Sequence, residues 1–129
     1  MARIRPEEYR AARTRRRFER PRETWASEAA SHARRRAKER GYDVDLTPEW
    51  LLQNLPERCP LLGIPFVFSS GVSTDNTPTV DRKDSSKGYT MDNCWIVSAK
   101  ANRMKTNAST GEIELLASNL SKMYAVTKK

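Results

Sequence analysis

Several residue types that build common sites are scarce in this sequence of 129 residues. Its two cysteines, Cys59 and Cys94, are too few for a disulfide framework, so we expect a reducing environment. The single histidine, His32, excludes any site that needs two imidazoles. No apolar run approaches the roughly 18 residues of a membrane span, and the Arg-rich N-terminus lacks the apolar stretch of a secretory signal. These absences predict a cytoplasmic protein with no membrane partner.

Positive charge is abundant but confined to one part of the chain. The sequence holds 24 Lys+Arg against 16 Asp+Glu, and the whole excess of +8 lies in residues 1–40. Nearly all the basic residues there are arginine, whose fork of donors suits bidentate contact with phosphate. We therefore predict salt-sensitive nucleic-acid binding by this segment, with a solvated charged helix as the alternative. Its candidate phosphate contacts are Arg15, Arg16, Arg17, Arg34, Arg35 and Arg36.

The length suits one domain, which we place at 23–129, after a basic arm at 1–22. Thr24 is the predicted cap of an Arg-rich helix that ends at Gly41. Its apolar residues repeat every four positions and form a narrow stripe. The stripe consists of Trp25, Ala29, Ala33 and Ala37. A second helix is predicted over Pro48–Leu55, with Thr47 as cap, and 61–68 as a strand or buried loop.

The second half of the chain predicts two strands and two helices. The strands are Pro78–Arg82, with Val80 inward, and Cys94–Val97, and a helix follows from Ser98 to about Thr106. Ser109 and Glu112 form a capping box for a C-terminal amphipathic helix. One face of that helix carries Ile113, Leu116, Leu120, Met123 and Tyr124. The fold class is therefore α+β.

The order strand, loop, strand, helix brings two oxygen ligands together. Asp81 closes the first predicted strand, and Asn102 lies on the helix that faces back across the hairpin. Carboxylate and amide oxygens suit hard cations such as Mg²⁺ or Mn²⁺, which keep water and phosphate oxygens as further ligands. A cation held there would polarise a phosphate group.

The whole string resembles the HNH (His-Me finger) endonucleases, and most closely small phage-type members. It reads Asp-Arg-x-Asp at 81–84, Lys-Gly-Tyr-Thr at 87–90, Asp-Asn at 92–93 and Asn-Arg-Met-Lys at 102–105. The resemblance implies a ββα-metal core at about 78–106, in which Asp81 and Asn102 hold the cation. It implies that Asn93 orients the active strand, that the substrate is double-stranded DNA entered at the minor groove, and that the origin is a phage or mobile element. RNA remains an open partner.

This sequence departs from the family pattern in two places. Many relatives hold a structural zinc with two Cys-x-x-Cys pairs, whereas the corresponding positions here are Cys59, Leu62, Ser98 and Ala101, so we expect no structural zinc. Arg82 stands where the family usually has its histidine base, and arginine remains protonated. As a catalytic residue, Arg82 is then expected to hold the scissile phosphate or to stabilise charge in the transition state, with an ion pair to Asp84 or Asp92 as the alternative. The base is a hydroxide held by the metal, a substrate phosphate, Asp84 or His32.

These features predict a metal-dependent DNA endonuclease that nicks one strand. Further DNA contacts are expected at Lys87, Lys100, Arg103 and Lys105. Because the usual histidine is absent, a catalytically inactive nucleic-acid-binding protein on the same scaffold is the main alternative. A protein-interaction module with no affinity for nucleic acid is a third hypothesis.

Overall fold

A computed structural model describes residues 21–69 and 73–127, so residues 1–20 of the predicted arm, with Arg15, Arg16 and Arg17, lie outside the described residues. The elements are α1 (Arg22–Arg40), α2 (Pro48–Gln53), β1 (Pro78–Arg82), β2 (Cys94–Ser98), α3 (Ala99–Lys105) and α4 (Thr110–Thr127). The chain is thus a mixed α+β structure in which a small two-stranded sheet lies between helices. Among the described residues, no helix combines the length and apolar character needed to cross a membrane.

Helix α1 starts earlier than predicted and ends where predicted. Thr24 is not its cap, since the helix begins at Arg22 directly after Pro21, whose backbone carbonyl accepts a hydrogen bond from Trp25. Gly41 ends the helix in the left-handed conformation, with a φ of 73° that favours glycine. The buried face carries small residues beside one large aromatic ring, which allows close approach of α1 to the sheet. It consists of Trp25, Ala26, Ala30, Ala33 and Ala37.

The anchor of α1 on the sheet is Trp25. Its indole Nε1 donates a hydrogen bond of 2.9 Å to the backbone carbonyl of Pro78, at the start of β1. Trp25 also packs with Leu51 of α2 and Ile96 of β2 in one buried cluster. Helix α2 begins as predicted, because the Thr47 hydroxyl accepts a hydrogen bond from the backbone N–H of Trp50. It ends at Gln53, two residues before the predicted end.

The strands β1 and β2 form an antiparallel hairpin whose two faces differ. Val80 is opposite Ile96, and Asp81 is opposite Trp95. Since successive side chains of a strand point to opposite faces, Val80 and Ile96 pack towards α1 and α2. Asp81 and Trp95 lie on the other face, which α3 covers. The single carboxylate of β1 is therefore on the same face as α3.

The segment 57–68 is an irregular loop with a single isolated bridge, Arg58 to Pro65, and not a strand. Gly63 turns the chain with a φ of 73°. The loop places Cys59 in a buried cluster with Val97 and Ala101, and Phe66 packs against that cluster. This apolar packing fixes the loop to the base of α3.

The capping box that starts α4 is confirmed. The backbone N–H of Ser109 donates to Glu112 at 2.9 Å, and the backbone N–H of Glu112 donates to the Ser109 hydroxyl at 3.1 Å. These bonds hold the pKa of Glu112 below its usual value. The apolar side chains of α4 are nevertheless exposed on the described part of the chain. They include Leu115, Leu116, Leu120, Met123 and Tyr124.

Candidate active site

A polar cleft runs along the free edge of β1, between α1 and α3. Its two halves, of about 430 and 270 Å³, share the lining residues Arg36, Val80, Tyr89 and Asn102. The smaller half contains both predicted metal ligands and two further residues that were predicted to contact DNA or phosphate. Those residues are Asp81, Arg82, Asn102 and Lys105. The structure thus brings both predicted metal ligands to one cavity.

Asp81 is the buried carboxylate of this cleft. Its side chain is 8% exposed, and its Oδ2 accepts hydrogen bonds from Trp95 Nε1 at 2.8 Å and Lys105 Nζ at 2.6 Å. The same ammonium donates to the backbone carbonyl of Arg82 at 3.0 Å. Both contacts with the carboxylate are to Oδ2, and neither involves Oδ1. Residues of β2 and α3 therefore hold the Asp81 side chain in place.

Asn102 reaches the cleft from α3. Its Nδ2 donates a hydrogen bond of 3.1 Å to the Thr79 hydroxyl, which in turn donates to the backbone carbonyl of Val97 at 2.9 Å. With the amide nitrogen engaged by Thr79, the amide oxygen is the group that Asn102 offers to a ligand. Thr79, two residues before Asp81 on the same face of β1, therefore positions the second predicted ligand.

The donor set of Asp81 and Asn102 suits a small hard cation. Mg²⁺ typically takes one or two protein oxygens and keeps water or phosphate oxygens in its remaining positions. No group of three or more His, Cys, Asp or Glu side chains in 21–69 and 73–127 is placed to hold a metal. A carboxylate and an amide oxygen are ligand types that suit a cation completed by substrate, and Lys105 is a competing positive charge at Asp81.

Arg82 is fixed by its own loop. Its guanidinium lies 4.9 Å from the ring centroids of both Tyr42 and Tyr89, in cation–π geometry. Its Nη1 donates to the backbone carbonyls of Ser85 at 2.8 Å and Lys87 at 3.0 Å. These contacts hold Arg82 at the wall of the cleft. Both bonds to the loop are made by Nη1, and neither involves Nη2 or Nε.

Asn93 ties the ends of the loop between the strands together. Its Nδ2 donates to the backbone carbonyls of Asp84 at 3.0 Å and Gly88 at 2.8 Å, and its Oδ1 accepts from the backbone N–H of Asp84. These bonds hold the loop between β1 and β2 in place, and a role of Asn93 in orienting the active strand stays a prediction. Gly88 makes a close approach possible, since a Cβ there would lie 2.4 Å from the backbone oxygen of Asp43.

Asp84 lies outside the cleft, in an Asx turn. Its Oδ1 accepts hydrogen bonds from the backbone N–H and the hydroxyl of Ser86, at 2.9 and 2.6 Å. These bonds, together with the nearby positive charge of Lys87 and Arg82, lower the pKa of Asp84. The side chain therefore shapes the loop between the strands.

The exposed side of α1 supplies one wall of the cleft. His32 and Arg36 line it, and so does Arg40, one turn further along the helix. Sequence reasoning missed Arg40 as well as Lys83, which lines the cleft from the loop. The spacing of four between His32, Arg36 and Arg40 was the available signal, because residues four apart share a helix face. The neighbouring Arg34 and Arg35 are exposed, and neither lines the cleft.

The four basic residues predicted to contact DNA in the second half have different surroundings. Lys100 is exposed, and Lys87 is exposed with its ammonium 4.0 Å from Asp84. Arg103 is paired with Asp75 in the loop before β1. Lys105 departs most from the expectation, since only 11% of its side chain is exposed and its ammonium is bonded to Asp81. A contact between Lys105 and a phosphate would require it to leave that carboxylate.

Of the four positions that the resemblance links to a zinc site, Cys59 and Ala101 lie in one buried apolar cluster, whereas Leu62 is exposed. The backbone N–H of Ser98 donates to Cys59 Sγ at 3.3 Å, and Ala101 packs against the same thiol. Burial raises the pKa of Cys59, but hydrogen bonds from Ser98 outweigh it, so the pKa of the thiol is lowered. A structural zinc takes four Cys or His ligands, and this cluster offers one. Burial and the nearby Asp81 raise the pKa of Cys94, the other thiol, to about 12.

Comparison with known proteins supports the fold. No family model matches the sequence, and no curated protein does. A solved structure of the rare-cutting HNH restriction endonuclease PacI, for which a mechanism of DNA perturbation has been described, is similar, with a TM-score of 0.53 and 20% identity. The match covers 80% of this chain and 81% of that chain. The protein described here therefore has an HNH-like α+β fold, as predicted, and the phage-type subfamily stays a prediction.

Proposed function

We propose that this protein is a metal-dependent endonuclease that hydrolyses a phosphodiester of double-stranded DNA. The observation that carries the proposal is the meeting of Asp81 and Asn102 in one cleft whose rim is basic. Arg36, Arg40 and Lys83 line the same cavity, so a phosphate backbone entering it would meet complementary charge. The similarity of the fold to a DNA-cleaving HNH enzyme supports the same conclusion.

The cleft assigns separate tasks to its residues. Arg36 and Arg40 bind the backbone from α1, and Arg82 presents its unengaged guanidinium nitrogens to the scissile phosphate. Asp81 and Asn102 would hold Mg²⁺ or Mn²⁺, which when bound polarises the phosphate and stabilises the departing oxygen. Asn93 keeps Arg82 in place, because it fixes both ends of the loop whose carbonyls bind that guanidinium.

His32 is a better candidate for the general base than Asp84. His32 lines the cleft from α1, whereas the carboxylate of Asp84 is occupied by Ser86 outside it. An imidazole also changes its protonation near neutral pH, which suits proton transfer from water. Since the described residues contain one β1–β2–α3 unit, each encounter would cut one strand, and nicking is the proposed outcome.

A plasmid assay tests this function. Supercoiled DNA is incubated with the protein in Mg²⁺, Mn²⁺ or EDTA, and nicked and linear forms are separated on a gel. We expect nicking with a divalent cation and none in EDTA. Asp81→Ala and Asn102→Ala should both abolish it. Asn102→Ala removes a single side-chain hydrogen bond to Thr79, so it keeps the test valid if Asp81→Ala fails to fold. Nicking that persists in EDTA, or in both folded variants, would overturn the proposal.

A second candidate function is nucleic-acid binding without cleavage. It is favoured by the bond between Lys105 and Asp81, which places a protein cation on the proposed metal ligand. On this hypothesis the carboxylate is a structural counter-ion and the cleft only grips phosphate. A gel shift that weakens with salt, together with intact plasmid at every metal tested, would support it. The same gel shift with an RNA duplex as competitor would identify the preferred nucleic acid.

A further inference from the structure

Lys105 is bonded to the carboxylate that is the first proposed metal ligand. Its ammonium is 2.6 Å from Asp81 Oδ2, and the two side chains are only 11% and 8% exposed. A buried carboxylate is costly unless a positive charge or hydrogen bonds compensate it. Lys105 and the Trp95 indole together provide that compensation for Asp81.

A divalent cation at Asp81 would conflict with this arrangement. The cation and the ammonium would compete for one carboxylate, and their mutual repulsion is strong where water is largely excluded. A cation bound through the other oxygen, Oδ1, would still lie beside the same ammonium, so metal binding favours Lys105 leaving Asp81 Oδ2. Lys105 is able to do so, because it is the last residue of α3 and carries its charge on a flexible four-carbon stem.

The cleft offers Lys105 a second partner once DNA is present. Lys105 lines the same cavity as Arg36, Arg40 and Arg82. A phosphate bound by those arginines would therefore lie close to Lys105. Moving the ammonium from Asp81 to that phosphate keeps it paired and exposes the carboxylate to the cation. One residue then links the arrival of the substrate to the binding of the metal.

We propose that Lys105 is an internal counter-cation that keeps the metal site closed until DNA binds. The inference rests on the proposed function and makes Lys105 a positioning residue. It requires metal and DNA to raise each other's affinity by the same factor, since coupling between two ligands is reciprocal. It also requires the free protein to bind a divalent cation weakly.

The test is the affinity of the DNA-free protein for Mn²⁺, measured from the electron paramagnetic resonance signal of the unbound ion. Lys105→Met removes the charge and keeps most of the apolar stem. Lys100→Met is the matched control, because Lys100 is exposed on the same helix and does not line the cleft. We expect Lys105→Met to bind Mn²⁺ at least about tenfold more tightly than both the wild type and the control.

Further variants keep the outcome decisive. Lys105→Gln retains a hydrogen-bond donor for Asp81 without the charge, and it should show the same gain if Lys105→Met does not fold. Adding Asp81→Asn to Lys105→Met should remove the gain. Unchanged or weaker Mn²⁺ binding in both folded Lys105 variants would overturn the inference, while nicking by the wild type would leave the proposed function intact. Failure of every variant to bind Mn²⁺, with no nicking by the wild type, would overturn both.

Discussion

The cleft beside β1 and the helix α4 differ in how well the sequence pattern of each region predicts its packing. The cleft side has little apolar pattern, yet Asp81, Arg82 and the nearby Asn93 each make at least two polar contacts. Helix α4 has a clear apolar face, yet Leu116 and Met123 are 60% and 69% exposed. Periodicity therefore predicts the helix but not what the helix packs against. Changes in the cleft should cost far more than changes on α4.

The largest effect on stability is expected from Asp81→Ala. The change leaves the Lys105 ammonium buried without its carboxylate, a situation that costs about 3–5 kcal/mol. Urea denaturation followed by circular dichroism measures the loss. Asp81→Ala combined with Lys105→Met should recover much of it, because the uncompensated charge is gone. An unfolding free energy of Asp81→Ala equal to that of the wild type would show that the pair is not buried as described.

Asn93→Ala should have the next largest effect. It leaves the backbone N–H and carbonyl of Asp84 and the carbonyl of Gly88 without their partner, which we expect to cost about 2–3 kcal/mol in total. Nicking should fall as well, because the loop that holds Arg82 loosens. The control is Asn119→Ala on α4, an exposed position where the same denaturation should show a change below about 0.5 kcal/mol.

Two glycines allow the comparison to be made with one kind of substitution. Gly88→Ala would place a Cβ 2.4 Å from the backbone oxygen of Asp43, which already accepts a hydrogen bond from Tyr89 N. We expect a loss of about 1–3 kcal/mol. Gly111→Ala, in the first turn of α4, meets nothing closer than 3.9 Å and should be neutral or stabilising by up to about 1 kcal/mol. Equal melting temperatures for the two variants would contradict this difference.

Replacing Arg36 and Arg40 together by alanine should weaken DNA binding without unfolding the protein. Both side chains are exposed on the cleft wall. Each arginine that binds a phosphate contributes about 1 to the slope of log affinity against log salt, so the slope should decrease by about that amount for each arginine removed. Fluorescence anisotropy with a labelled duplex at several salt concentrations measures this slope. Arg34→Ala with Arg35→Ala is the matched control, since these arginines lie outside the cleft. A larger decrease in affinity for the control would move the DNA interface away from β1.

The smallest effect is expected on α4. Leu116→Ser and Met123→Ser change exposed side chains, so each should alter the unfolding free energy by less than about 0.5 kcal/mol. Chemical denaturation at low protein concentration measures it. A decrease in the unfolding free energy above about 2 kcal/mol in either variant would show that this face is covered by other parts of the chain. The expected difference in stability effects between the cleft and α4 would then be wrong.

Local chemistry accounts for what the sequence predicted well. Three helix ends were predicted correctly, because each depends on contacts within one helical turn. They are the end at Gly41, the cap at Thr47 and the capping box of Ser109 and Glu112, and all three are confirmed. Thr24 failed as a cap because helix α1 already begins at Arg22, directly after Pro21.

The contacts within the candidate site join residues that are far apart in the sequence. The spacing of Asp81, Asn93 and Asn102 in the motif was readable from the sequence, whereas their partners were not. Lys105 is 24 residues from Asp81 in the chain, and no local pattern links the two. Arg82 likewise meets Tyr42 only because the segment before α2 passes beside the loop. Such contacts depend on how elements pack, so the structure was needed to find them.

The central claim is that the cleft cuts DNA rather than only binding it. The most direct measurement is the rate of plasmid nicking per bound complex, for the wild type and for Asp81→Asn combined with Lys105→Met. The double variant keeps the burial of both side chains but has neither charge. We predict that both proteins bind DNA, with Mn²⁺-dependent nicking by the wild type alone. Equal nicking per bound complex in both proteins would contradict the account.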